Sequence, residues 1–98
     1  MDSVLLVEDK DELREMLTHA LKRMGYGVTP AAQLGDALAA LQQQHFSAVL
    51  TDLKLPSGTG MDVLSAALEA DAALPVVAMG NYELKDGMSV RRAGGAAR

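Results

Sequence analysis

Three short apolar runs, SVLLVE at 3–8, AVLTD at 48–52 and PVVAM at 75–79, constrain this chain more than any other feature. Runs so short, with branched aliphatic side chains at both parities, read as strands buried on both faces. Between the first two, the periodicity switches to that of a helix. Leu13, Met16, Leu17, Ala20, Leu21 and Met24 recur at i, i+3, i+4, i+7, i+8 and i+11, and Gly25 ends the stripe. Strands alternating with helices at this spacing imply a parallel sheet with helices on both faces.

The remaining elements fit that order. Asp9 or Asp11 is expected to cap the first helix, with acids in its first turn. Residues 26–29 form a short strand, and Leu34, Ala37, Leu38 and Leu41 mark a second helix ending around Gln44. Pro56, Gly58 and Gly60 make 53–60 a loop. A third helix runs from about Met61 to Ala70, with Met61, Leu64 and Leu68 facing inward, and Pro75 opens the fourth strand. Leu84, Met88 and Val90 suggest a weak helix, and residues 91–98 a flexible tail. The order is β-α-β-α-β-α-β in a single domain, 1–98.

Composition narrows the partners. Half the residues are hydrophobic (49%) and 22% charged, the balance of a globular domain and not of a disordered chain. With 16 Ala, 15 Leu, one Phe and no Trp or Ile, the core is aliphatic and closely packed. A net charge of −4 argues against binding nucleic acid through its phosphates. The absence of cysteine excludes a disulfide framework and a thiolate nucleophile. No apolar stretch is long enough to span a bilayer, and Met1-Asp2-Ser3 is no basic leader, so a cytoplasmic location is expected.

In open parallel sheets, ligands bind outside the carboxyl ends of the strands. Glu8 and Asp9 stand at that end of the first strand, and Asp52 at that end of the third. Taken singly, each is an ordinary cap or loop acid. Brought together they repel, and at least one pKa rises unless a cation intervenes. An all-oxygen donor set completed by water suits Mg²⁺.

These segments, LLVEDKDELRE at 5–15, YGVTPAAQLGDAL at 26–38, TDLKLPSGTGMDVL at 51–64 and LPVVAM at 74–79, carry a resemblance. From Ser3 to about Ala96 the chain resembles the receiver domain of two-component response regulators. The resemblance implies a flavodoxin-like (CheY-like) fold with strand order 2-1-3-4-5. It makes Asp52 the phosphoacceptor, served by a sensor histidine kinase or a phosphotransfer protein. It implies Mg²⁺ bound by Asp9 and Asp52, by Glu8 through a water, and by the backbone carbonyl of Lys54.

Departures from that pattern supply a second reading. Where relatives carry a Thr or Ser switch after the fourth strand, this chain has Gly80, followed by Asn81. Read as a whole domain, it lacks the fifth strand, the fifth helix and the phosphate-pairing lysine, since no lysine follows Lys85. The alternative is a pseudo-receiver, a phosphorylation-independent interaction or dimerisation module. Self-association through the uncovered fourth strand and the first-helix face, or a partner protein that covers them, is expected in either case. An independent enzyme is disfavoured, because no further nucleophile–base pair is present.

Other features read as structural. Gly58-Thr59-Gly60 starts like a phosphate-binding loop, but Val63 replaces the third glycine. His19 and His45 are isolated, Met16, Met24 and Met61 read as core fillers, and Arg91-Arg92 as a solvated helix end. Lys54 and Ser57 flank the acidic site as loop residues.

Overall fold

The structure, a computed structural model, describes residues 2–56 and 58–79. Ser57, Gly80, Asn81, the weak helix around Leu84 and the 91–98 tail lie outside the described residues. Strand β1 (Ser3–Val7) is followed by α1 (Asp11–Arg23), β2 (Gly27–Ala31), α2 (Leu34–Gln43) and β3 (Ala48–Asp52). A small ribbon of β4 (Lys54–Leu55) and β5 (Gly58–Thr59) leads into α3 (Gly60–Ala70) and then β6 (Val76–Met79).

The main sheet is parallel throughout, in the order β2-β1-β3-β6. It is the flavodoxin-like arrangement, with β6 as the fourth strand. β1 is flanked on both sides, and its Leu5, Leu6 and Val7 are fully buried. Their parity separates two faces. Leu5, Val7 and Val49 join Ala37, Leu41, Val63 and Ala67 in the core beneath α2 and α3, closed below by Phe46 and Leu74. Val4 and Leu6 lie outside that cluster, on the face where α1 packs over β1 and β2.

Several expectations need correction. The stripe on α1 leaves none of the helix's residues fully buried, and Met16 and Met24 are 58% and 69% exposed. On α3 the inward residues are Gly60, Val63 and Ala67, whereas Met61 and Leu68 are 62% and 45% exposed and Leu64 is half-buried. The three methionines are therefore not core fillers. Small residues win the inward positions because they let helix backbones approach closely, which a long side chain prevents.

The helix caps also differ from expectation. Neither Asp9 nor Asp11 caps α1: Lys10 holds the N-cap position without a side-chain bond, and Asp11 and Glu12 sit in the first turn. The cap on α3 is complete. Thr59 Oγ1 accepts from the backbone of Met61 and Asp62, while Asp62 accepts from Thr59 N–H, a capping box.

The second strand begins at Gly27, not Tyr26, and runs through Pro30 to Ala31. Pro30 is tolerated because β2 pairs only with β1 among the described residues, and an edge strand spares one N–H. The expected 53–60 loop contains the antiparallel β4–β5 ribbon, in which Leu55 is buried. Gly25 ends α1 as expected, at φ 99°, a conformation costly for any side chain.

Candidate functional site

Register places the acids. β1 and β3 are parallel with Val7 opposite Thr51, so Glu8 and Asp52 occupy the next step at the carboxyl ends of adjacent strands. Glu8 N–H donates to the Ala31 carbonyl at 2.9 Å, and Leu53 N–H to the Met79 carbonyl at 3.1 Å. Each acidic strand end is thus pinned to its outer neighbour in the sheet.

The three sequence-predicted carboxylates meet. One oxygen each from Glu8, Asp9 and Asp52 lies within 4.8 Å of the others. Glu8 and Asp52 are each 1% exposed. Lys10 N–H donates to Glu8 Oε2 at 3.0 Å, and Lys54 N–H to Asp52 Oδ1 at 3.3 Å. Glu8 Oε1 and Asp9 Oδ1 are buried with no hydrogen-bond partner. Burial holds the Glu8 carboxyl above its ordinary pKa; the negative charges of Asp52 and Asp9 push the same way, and the Lys10 amide opposes them.

The Asp52 backbone is equally constrained. Its carbonyl accepts from the buried Thr51 hydroxyl at 3.0 Å. A Cβ on Gly60 would stand 2.7 Å from that same carbonyl oxygen, and Gly60 N–H donates to the Leu53 carbonyl at 2.9 Å. Gly60 is therefore glycine so that the start of α3 can lie against the acidic strand end. In sequence it reads only as part of a failed phosphate-loop motif, and its signal, a glycine directly after an N-cap threonine, is easily missed.

Lys54 is exposed, and its backbone stands beside Asp52 through the amide contact. His19 and His45 are exposed and outside the cluster. Sequence reasoning missed Arg14, whose guanidinium donates to the carbonyls of Glu8 and Asp9 at 3.0 and 3.5 Å. Chemically, the site gathers three carboxylates, Glu8 and Asp52 buried and Asp9 half-buried, into an all-oxygen donor set of the kind a hard cation takes. No helix among the described residues is long and apolar enough to cross a membrane.

Comparison with known proteins agrees with this architecture. Residues 4–96 match the family described as response regulator receiver domain. The response regulator receiver protein CpdR of Brucella abortus is 35% identical over 77 residues, covering 79% of this chain and 64% of that protein. The probable transcriptional regulatory protein TcrX of Mycobacterium tuberculosis is 35% identical over 92 residues, covering 94% of this chain and 38% of its own. Among solved structures, the non-phosphorylated HemR receiver domain from Leptospira biflexa superposes with a TM-score of 0.77 at 30% identity, over 82% of this chain and 64% of that one. The chain thus spans 64% and 38% of the two curated relatives. A sheet with acids gathered at its carboxyl edge and a family match along nearly its whole length lead to one conclusion: the chain belongs to the response regulator receiver domain family.

Proposed function

We propose that this receiver accepts a phosphoryl group on Asp52 from the phosphohistidine of a sensor histidine kinase or a phosphotransfer protein. Asp9, Asp52 and the backbone carbonyl of Lys54 would hold Mg²⁺ directly, and Glu8 would hold it through a water. The observation that carries the reading is the convergence of three carboxylates with two buried oxygens, Glu8 Oε1 and Asp9 Oδ1, that lack any hydrogen-bond partner. Buried acceptors left this way are costly, and a hard cation with an oxygen shell is the ligand that satisfies them. The residues therefore fit the ion.

When bound, the ion supplies charge neutralisation for the phosphoryl oxygens. The chain supplies the nucleophile and its placement. A carboxylate oxygen of Asp52 attacks phosphorus; the new O–P bond forms as the P–N bond to the donor imidazole breaks, and its electron pair stays on that imidazole. Lys54 N–H holds Asp52 Oδ1, and the Thr51 hydroxyl fixes the adjoining carbonyl.

The product is an acyl phosphate, which sets the test. Label from acetyl [32P]phosphate should enter the chain with Mg²⁺ and be released by hydroxylamine, which cleaves acyl phosphates. Asp52→Asn should take up none. Label that survives hydroxylamine, or that persists in Asp52→Asn, contradicts the reading.

A second reading, the phosphorylation-independent interaction module, draws on Gly80 standing where relatives have a hydroxyl. It also draws on surface: Val77 of β6 is 45% exposed on a strand that pairs only with β3 among the described residues, and Met16 of α1 is 58% exposed. Self-association through these elements is part of the proposal, and sedimentation that stays monomeric at high concentration would count against it. Action in the cytoplasm, without contact to nucleic acid by this chain alone, belongs to the same reading.

A further inference from the structure

We propose that Arg14 is a positioning residue for the acidic site, fixing the backbone on both sides of Asp9 so that its carboxylate stays with those of Glu8 and Asp52. The inference rests on the magnesium reading above and deepens it. Arg14 Nη1 donates to the Glu8 carbonyl at 3.0 Å and reaches the Asp9 carbonyl at 3.5 Å, while Nη2 donates to Asp11 Oδ1 at 2.7 Å. The two carbonyls belong to the peptide planes flanking the Asp9 Cα. Holding both planes restricts φ and ψ of Asp9, and with them the direction of its Cβ. The 3.0 Å bond is the stronger hold and the 3.5 Å contact the weaker.

A surface ion pair does not account for this geometry. Asp11 is 81% exposed, and such a pair contributes roughly 0–1 kcal/mol. The Arg14 side chain, in contrast, is only 20% exposed. A guanidinium is withdrawn that far from water where fixed acceptors replace its hydration. Its fork also does what an ammonium does not, holding the loop carbonyls with one arm and the first turn of α1 with the other. The loop needs such a hold, because α1 has no side-chain N-cap and the three acids repel one another. Without it, Asp9 relieves the repulsion by swinging outward. With it, the cost of gathering the acids is met during folding and not at metal binding.

Positioning and simple charge predict opposite signs. A cation beside the site repels a divalent ion, so charge alone makes Mg²⁺ bind more tightly once Arg14 is removed. Positioning makes it bind more weakly. The experiment is calorimetric titration of Mg²⁺ into the full chain, into Arg14→Met and into Arg14→Lys, with circular dichroism and a cooperative melt required of each. Both variants should bind about tenfold more weakly than wild type, the scale seen for groups that orient metal ligands. Unchanged or tighter binding in Arg14→Met overturns the proposal, as does wild-type affinity in Arg14→Lys, where charge survives without the fork. Should Arg14→Met lose its cooperative melt, Arg14→Lys decides alone. A wild-type chain that binds no Mg²⁺ fails the metal reading itself, a result distinct from equal binding by all three.

Discussion

Glu8 is the residue whose cost is most plainly legible. It is buried, one of its oxygens has no partner, and two other carboxylates stand close by. Its carboxyl is raised above the ordinary value, so the folded chain holds that proton more tightly than the unfolded chain does. Its stability contribution is therefore fully present below the unfolded pKa and is lost as pH rises through the folded one. The metal-free protein should thus fall in Tm relative to Glu8→Gln as pH rises from acid to neutral. At neutral pH the metal-free variant should melt above the metal-free wild type. Saturating Mg²⁺ should reverse the order, since only wild type retains the full donor set. Thermal melts across pH with and without the ion check both statements, and a metal-free Glu8→Gln that melts below wild type at neutral pH contradicts them. The site acids were readable from sequence because each ends an apolar run, and a parallel sheet brings such ends together. Arg14 was not, since an arginine in a helix's first turn looks like any solvated charge until its carbonyl partners are placed.

At the scale of elements, the junction between the β4–β5 ribbon and α3 sets how closely the helix approaches Asp52. Gly60→Ala would drive a methyl group against the Asp52 carbonyl, a backbone atom that moves only with β3. It should cost about 1–3 kcal/mol by overpacking. Gly35→Ala in α2 meets open space and should stabilise the chain by about 0.5 kcal/mol through the unfolded state. Urea unfolding of the pair separates local crowding from a general preference for alanine. Thr59→Ala, which removes the capping box, should cost about 1 kcal/mol in the same measurement. A neutral Gly60→Ala would mean that α3 can shift without disturbing the site. Helix faces were the least legible feature. Leu and Met set the apolar pattern of α1 and α3, yet α3 buries Gly60, Val63 and Ala67 while α1 only leans on its sheet face. Hydrophobicity ranks those large residues first, whereas close packing selects the small ones. Pro30 hid the true end of β2 for a related reason, because an edge strand admits what a central strand does not.

For the whole molecule, the order of strands and helices was legible because a buried parallel sheet leaves unbroken apolar runs, and the alternation with helices fixes the class. The strand order β2-β1-β3-β6 then carries the functional argument, since it makes the strands ending at Glu8 and Asp52 neighbours. To the uncovered first-helix face and fourth strand expected from sequence, the structure adds the residues that stay accessible, Met16 on α1 and Val77 on β6. The central claim is that this acidic edge performs phosphoryl chemistry on Asp52. The most direct test is intact mass after incubation with acetyl phosphate and Mg²⁺, beside Asp52→Ala and an EDTA control. One phosphoryl adduct is expected on the wild-type chain and on neither control. A folded wild-type chain that gains no mass, or an adduct that persists in Asp52→Ala, would contradict the claim.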